Sequence, residues 1–501
     1  MPTVLRSREG VQFGSFHYPY AIVEHSMTRE ALDLVMRGVG PGEQPVKEPA
    51  TAGERAAMLH LAYQGASFLH EARHFYDQFG TFAGISLFAN FMEALKSFDQ
   101  AVTFIAAQDG KWRWPVSAWA ADKASPVEIR RFVRQSRSFR TGAELLLAAF
   151  NGLEVDGHAD SLLDEAVTNS GHPVDVAPIR VAQFGSDGKP VPKTIMHPLG
   201  VEALFEASAH AVTRSFVEHN VPKVVADRLT QDVYAIEVRR GEEEDRGRAV
   251  LPYMVLDRLI TKFVRARGPQ TFDRAAVLGI ADEALGRAYL KIAHISDTDT
   301  TIEATRVGKG VLEVLEGTSV DDLVAGTVPA SRMITRVYAT LLAEYEKGGD
   351  WDTVRDDRSL LSSIRIWESY CAQHFAVPLL RLRLQTDHKA YRSASGLLQL
   401  FEAVAPPIIS TGGRTAFNLP DRVREAWAAV LMAGQIMQST LGGEMLCPRS
   451  YGVIPGLSNI SFTDKYLCDD YIPVGCGKFA GGRVEETPCM FVHLLKGLRF
   501  V

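Results

Sequence analysis

Residues 70–74 read His-Glu-Ala-Arg-His, a spacing suited to binding a metal ion. On an α-helix, two histidines four residues apart lie one turn apart on the same face, so both imidazoles can reach one ion. Glu71 lies about 100° further round the helix, close enough to take a proton from a water molecule without coordinating the ion. This pattern predicts metal-assisted hydrolysis, with His70 and His74 as metal ligands and Glu71 as general base.

A polar stripe on the same helix favours this interpretation over a solvated surface. At about 100° per residue, one face about 120° wide collects polar side chains, and the opposite face is apolar. The stripe contains His60, Tyr63, Ser67, Glu71, His74 and Asp77. Surface stripes are usually rich in lysine, which this one lacks, whereas histidine is in excess, so we interpret it as the wall of a metal site.

The motif resembles that of the zincin metallopeptidases, and more narrowly the gluzincins, in which two histidines and a downstream glutamate bind zinc. The resemblance covers this helix and at most one more. It implies one catalytic Zn²⁺, a peptide or protein substrate, and cleavage of a peptide or amide bond. Arg73 stands where that family usually has an uncharged residue, and its i,i+4 spacing predicts an ion pair with Asp77.

Glu93 is one candidate for the third ligand that a zinc site requires. Eighteen residues separate it from His74, a spacing that resembles some gluzincin aminopeptidases, although Met92 replaces their asparagine. Its neighbours at helical spacing are those of a solvated face. They are Ala89, Lys96, Ser97 and Gln100.

The predicted helix at 197–218 carries the rival candidate and is apolar almost all round. Glu202, Glu206 and His210 interrupt it at i, i+4 and i+8, within about 80° of one another. Buried carboxylates are costly unless they are paired or bind a metal ion. We therefore favour Glu206, at the middle of the stripe, as third ligand, and the alternative is an ion-pair network with arginine or lysine.

The remaining polar residues receive supporting roles. His210 is the candidate donor to the oxyanion, with His60 and Tyr63 as weaker candidates. Asp77 and Glu202 are expected to orient the ligand imidazoles.

Two other functions fit the same residues. A di-iron carboxylate oxidoreductase would use Glu71 and His74 with Glu202, Glu206 and His210, although the second Glu-x-x-His motif of such bundles is absent. A helical scaffold with a structural metal site is the third interpretation.

The elements that must position these residues are mainly helices, because alanine, leucine, arginine and glutamate dominate and period-2 alternation is scarce. Predicted helices include 54–79, 83–107, 199–219, 331–346, 359–386 and 421–441. A loop with a short hairpin is expected within 169–197. We expect a mainly α protein with four regions. They are an extended N-terminal arm and loop (1–53), a helical metal-binding catalytic domain (54–346), a helical region (347–441) and an irregular tail rich in glycine, proline and cysteine (442–501).

Composition and net charge give no support to some classes of partner and location. The 501 residues carry a net charge of −6, and the pI of about 6.2 gives no electrostatic reason to expect nucleic acid or an anionic membrane as a partner. The N-terminus lacks a secretory apolar segment, and five cysteines make no disulfide framework, so a cytoplasmic location is expected. The sequence gives no indication of the oligomeric state.

Four cysteines lie in the tail, at positions whose spacing fits no zinc knuckle. They are Cys447, Cys468, Cys476 and Cys489. A second, structural zinc ion there is a weaker expectation than buried free thiols, and Cys371 is expected in the core.

Overall fold

Helices make up most of the part of the chain that the computed structural model describes, which confirms the mainly α prediction. The described residues are 14–17, 21–25, 28, 30–31, 34–35, 48–108, 111–112, 116–134, 153–155, 176–184, 190–229, 251–290, 307–329, 331–355, 359–385, 400–411, 414–442 and 499–500.

Twelve helices in these ranges are labelled here in chain order. They are α1 (Ala52–Gly80), α2 (Phe82–Gln108), α3 (Val116–Ala121), α4 (Val201–Asn220), α5 (Leu251–Arg265), α6 (Arg274–Leu290), α7 (Val307–Gly317), α8 (Val320–Ala325), α9 (Arg332–Glu346), α10 (Leu360–Cys371), α11 (Val377–Gln385) and α12 (Asp421–Gly442). The predictions for α1, α2, α4, α9 and α12 are confirmed to within two residues at each end.

The predicted helix at 359–386 is interrupted by a π-helical turn at Ala372–Ala376, between α10 and α11. In this turn the N–H of Val377 donates to the carbonyl oxygen of Ala372, five residues earlier. Pro378 follows immediately and has no N–H to donate, so a regular helix would lose a hydrogen bond here. The wider turn accommodates the proline within an otherwise continuous helical segment.

Within the described ranges, short strands form three small sheets. The strands are β1 (Gly14–His17), β2 (Ile22–His25), β3 (Lys111–Trp112), β4 (Leu153–Val155), β5 (Val176–Phe184), β6 (Pro190–Pro198), β7 (Ile408–Thr411), β8 (Arg414–Phe417) and β9 (Arg499–Phe500). The orders are β1-β2-β7-β8, β3-β9 and β4-β6-β5.

Two of these sheets bear on the predictions. The hairpin expected within 169–197 is present as β5 and β6, which pair antiparallel over nine residues each. The N-terminal arm contributes β1 and β2, and β2 pairs in parallel with β7 near the other end of the chain. In the described part of the tail, β9 pairs with β3.

Helix α1 lies at the centre of the hydrophobic core. From Ala62 to Gly80 nearly every residue of α1 is buried, and α4, α2, α11 and the β1–β2 hairpin pack against it. A Cβ atom at Gly65 would lie 2.7 Å from Val35 Cγ2, so glycine permits the close approach of Val35 to α1. The same apolar cluster runs from Ala21 to Met437 and therefore joins parts of 54–346 and 347–441, whose division stays a prediction.

Among the described helices, none combines the length and the apolarity that crossing a membrane requires.

Candidate metal centre

Helix α1 positions both predicted histidine ligands. It begins with a capping box in which Glu54 N–H donates to Thr51 Oγ1 at 3.1 Å and Thr51 N–H donates to Glu54 Oε2 at 3.0 Å. The helix then continues without interruption, so His70 and His74 lie one turn apart in its buried half. Their rings meet edge to face, with centroids 4.8 Å apart.

Helix α4 brings Glu206 to these histidines. It crosses α1 closely enough for the Thr213 hydroxyl, on α4, to donate to the carbonyl oxygen of Ala66, on α1, at 3.4 Å. Glu206 is 2% exposed and points into this contact. Its Oε2 lies 3.1 Å from His70 Nε2, and its Oε1 lies 3.5 Å from His74 Nε2. Within the described part of the chain, the contacts of Glu206 are therefore with two histidines and not with an arginine or lysine, which was the alternative expected from the sequence.

The donor atoms of the three side chains lie at spacings suitable for a metal ion. His70 Nε2 and His74 Nε2 are 3.2 Å apart, and each faces one of the two Glu206 oxygens. Ligand atoms about 2.0–2.1 Å from a tetrahedral zinc ion lie about 3.3 Å from each other. Among the described residues, this trio is the group whose histidine and acidic side chains could hold an ion.

Hydrogen-bond counting also favours a shared cation. A neutral imidazole has one N–H and one lone pair, and a carboxylate has only lone pairs. His70 Nε2 faces both Glu206 Oε2 and His74 Nε2, yet a single proton on that nitrogen can be donated to only one of them. A metal ion between the three atoms would accept all three lone pairs at once.

Burial and mutual attraction shift the pKa values of all three side chains. Burial lowers the pKa of His70, and the hydrogen bond to Glu206 opposes that shift. Burial acts in the same direction on His74, but the charge of Glu206, with smaller contributions, raises the pKa of His74 to about 9. Burial would raise the pKa of Glu206, whereas the His74 charge and the histidine hydrogen bonds lower it to about 2. The pocket therefore stabilises an anionic carboxylate beside positive charge.

Glu71, the predicted general base, is 0% exposed and lies beside this trio. Its negative charge contributes to the raised pKa of His74, which places the carboxylate within electrostatic reach of that ligand. Glu71 and the three donor residues therefore share one buried region between α1 and α4.

Asp77 forms the ion pair with Arg73 that the sequence predicts. Arg73 Nε donates to Asp77 Oδ2 at 3.1 Å, and Arg73 Nη2 lies 2.8 Å from Asp77 Oδ1, with both side chains buried. Asp77 was expected to orient a ligand imidazole, and its charge does contribute to the raised pKa of His74. The hydrogen-bond partner that holds its carboxylate is nevertheless Arg73.

His210 lies one turn beyond Glu206 on α4 and is half-buried. Burial, together with the charges of Arg214 and His70, lowers the pKa of His210 to about 3. The imidazole is therefore neutral at ordinary pH and close to the trio. Glu202 lies on the same helix, one turn before Glu206, and its side chain is outside the described residues.

Two groups of predicted candidates lie away from the trio. Glu93 is 61% exposed at its side chain and pairs with Lys96 at 2.8 Å, so it occupies a solvated face and is not a third ligand. His60 is exposed and contacts Gln64 at 2.9 Å. At 1.5 Å per residue, His60 and Tyr63 lie about 10–15 Å from His70 along α1, and their role as weaker candidate donors to the oxyanion stays a prediction.

Cysteine predictions are tested only for Cys371, which is buried and free, as expected. The four tail cysteines lie outside the described residues, so both the expectation of buried free thiols and the weaker alternative of a structural zinc ion stay predictions.

A second buried ion pair near α1 was not predicted from the sequence. Arg383 on α11 pairs with Asp282 on α6, and both side chains are fully buried. Both helices carry other charged residues, and the two partners are 101 residues apart, so no local pattern in the sequence joins Arg383 to Asp282.

Comparisons of this chain with protein-family models, with curated proteins and with solved structures find no match.

Proposed function

We propose that the protein is a zinc-dependent hydrolase, and more specifically a metallopeptidase, that uses His70, His74 and Glu206 as its metal ligands. The observation that carries the proposal is the convergence of two imidazole nitrogens, 3.2 Å apart, on the buried Glu206 carboxylate, with His70 Nε2 3.1 Å from Oε2 and His74 Nε2 3.5 Å from Oε1. The choice of zinc follows from the donor set, since two histidines and one carboxylate are a common catalytic zinc site. The peptide substrate rests on the resemblance of residues 70–74 to the zincin motif.

Within this proposal each side chain has a defined task. A zinc ion held by the trio would lower the pKa of a water molecule and polarise the substrate carbonyl. Glu71 takes the proton from the attacking water and delivers it to the leaving amine. His210, a neutral imidazole, donates to the developing oxyanion. Asp77 contributes negative charge near His74, and Glu202 is placed on α4 to support the ligands.

The di-iron alternative receives less support from the geometry. It requires Glu71 as a ligand and leaves His70 without a metal-binding role, whereas the trio contains His70 and lacks Glu71. A structural metal site remains the second candidate, because the ligand side chains are at most 6% exposed, as in closed sites.

A cytoplasmic location also remains a proposal, based on the cysteine content.

Metal content measured by mass spectrometry tests the ligand set. We expect one zinc ion per chain in the wild type, and loss of the ion in His70→Ala and Glu206→Ala. Glu93→Gln, which removes an exposed carboxylate, is the matched control and should keep the ion. Retention of zinc by Glu206→Ala, or its absence from the wild type, would refute the proposed site.

Glu71→Gln separates a hydrolase from a structural metal site. If Glu71 is the general base, this variant should keep zinc and lose peptide hydrolysis, measured against a mixed peptide library, by about a hundredfold or more. A wild type that binds zinc but cleaves no peptide or amide would favour the structural site. Loss of zinc in Glu71→Gln together with two irons in the wild type would favour the di-iron centre.

A further inference from the structure

Arg383 and Asp282 form a fully buried ion pair that the proposed reaction does not use. Arg383 Nη1 contacts Asp282 Oδ1, and both side chains are 0% exposed. Desolvating two charges is expensive, and such pairs do not in general stabilise a fold more than apolar side chains of similar volume would. The pair joins α11 to α6, so it can serve to position these two helices.

The surroundings of Arg383 connect it to the start of α2. Its guanidinium carbon lies 4.2 Å from the centroid of the Tyr338 ring, a cation–π contact with α9. The Tyr338 hydroxyl in turn accepts a hydrogen bond from the N–H of Phe82 at 3.4 Å. Phe82 is the first residue of α2 and is separated from the end of α1 by Thr81 alone.

Hydrogen bonds of Thr81 connect the same α1–α2 junction to the last turn of α1. The Thr81 hydroxyl donates to the carbonyl oxygen of Asp77 at 2.5 Å and accepts from the N–H of Gly84 at 3.1 Å. The charge of Arg383 also opposes the burial that raises the pKa of Asp77, so the guanidinium lies within electrostatic reach of that carboxylate. Asp77 is three residues beyond His74, on the same side of the helix.

We propose that Arg383 is a positioning residue of the metal centre, which fixes the last turn of α1, and with it His74, against α4. It does so by pairing with Asp282 on α6 and stacking on Tyr338, whose hydroxyl accepts from Phe82 N–H at the α1–α2 junction. Helices α6, α9 and α11 thereby set the distance between the histidines and Glu206. This inference rests on the proposed metal centre.

The pair can be removed without leaving a buried charge, by the double substitution R383M/D282N. We expect this variant to bind Co²⁺, used as a spectroscopic probe in place of zinc, about tenfold to a hundredfold more weakly than the wild type, the usual effect of losing a residue that supports metal ligands. Affinity is measured by competition with a chelator. The visible absorption bands of the bound Co²⁺, which report its coordination geometry, should change as well.

A second ion pair on α11 provides a matched control. Arg381 pairs with Glu346 on α9 at 2.6 Å, but the two side chains are 55% and 40% exposed. R381M/E346Q should keep Co²⁺ affinity within about twofold, the scatter expected for independent sites, and keep the wild-type spectrum. An equal loss in R381M/E346Q would show that any disturbance of α11 weakens the site and would overturn a specific role for Arg383.

Two further variants keep the inference testable. If R383M/D282N does not fold, R383K keeps the charge but not the planar guanidinium on Tyr338, and should bind Co²⁺ more weakly than the wild type. In a D77N background, R383M/D282N should cause a smaller further loss than in the wild type, because both changes act on one helical turn. Wild-type affinity and spectrum in R383M/D282N, or in R383K when only that variant folds, would refute the inference. A wild type that binds neither Co²⁺ nor zinc would instead refute the metal centre itself.

Discussion

Asp77→Asn removes one partner of a fully buried ion pair and should destabilise the protein strongly. Arg73 makes two contacts with the Asp77 carboxylate, at 3.1 Å and 2.8 Å, and the two side chains are only 2% and 1% exposed. Water therefore cannot replace the lost carboxylate. The asparagine amide fills the same space but carries no charge to balance the guanidinium.

The size of the expected loss in unfolding free energy follows from the burial of this pair. Removing one member of a buried pair costs about 3–5 kcal/mol, because the other charge stays in the interior without compensation. Replacing both members with apolar side chains of similar volume, as in R73M/D77L, should cost much less and could even stabilise the fold. Urea unfolding of the chelator-treated protein, followed by tryptophan fluorescence, measures the free energy of unfolding apart from any metal contribution.

An exposed ion pair serves as the control for the buried pair of Arg73 and Asp77. Lys347 and Glu344 are 2.8 Å apart, but their side chains are 69% and 66% exposed, so Glu344→Gln should change stability by less than about 1 kcal/mol. If Asp77→Asn also costs less than about 1 kcal/mol, the Asp77 carboxyl is neutral in the folded protein. In that event Arg73 and Asp77 do not form a charged pair at the end of α1.

Three further predictions concern α1, α2 and the core. Gly84→Ala would place a Cβ atom 2.3 Å from the backbone oxygen of Asp77, so we expect a loss of about 1–3 kcal/mol in urea unfolding, and an unchanged stability would contradict the observed packing. Thr51→Ala removes the side chain that accepts from Glu54 N–H and should cost about 0.5–2 kcal/mol, measured in the same way, with no change in metal content. Burial raises the pKa of the Cys371 thiol, so a thiolate-specific reagent at pH 8 should label it far more slowly in the folded protein than in urea, as read by peptide mass mapping; equal rates would count against this burial.

The sequence predicts the helices well because their signals are local. The apolar periodicity that follows Glu54 is sufficient to predict α1, whereas the capping box at Thr51 and Glu54, which was not used in that prediction, starts the helix two residues earlier, at Ala52. The π-helical turn at Ala372–Ala376 was not predicted, although Pro378 gave a local reason for a break. The pairing of β2 with β7 could not be read from the sequence, because it joins segments from opposite ends of the chain and neither strand specifies its partner.

The trio was predicted from two different kinds of signal. His70 and His74 follow from their spacing on one helix, which is a property of α1 alone. Glu206 follows from the cost of a carboxylate in an apolar helix, which predicts that a cation is needed without naming it. The distance arguments for Glu93 fail because a count of intervening residues does not fix which face of α2 points to the site.

The buried carboxylates differ in the partners that the fold gives them, and this difference bears on whether a metal ion binds. Asp77 bonds Arg73 and Asp282 bonds Arg383, so each has a guanidinium that carries permanent charge. Glu206 instead faces two imidazoles whose nitrogens can themselves be metal ligands. A chain that needed only to neutralise Glu206 could use arginine there, as it does at Asp77 and Asp282. The use of two histidines, one turn apart and facing one carboxylate, is the arrangement expected where the positive charge comes from a bound ion.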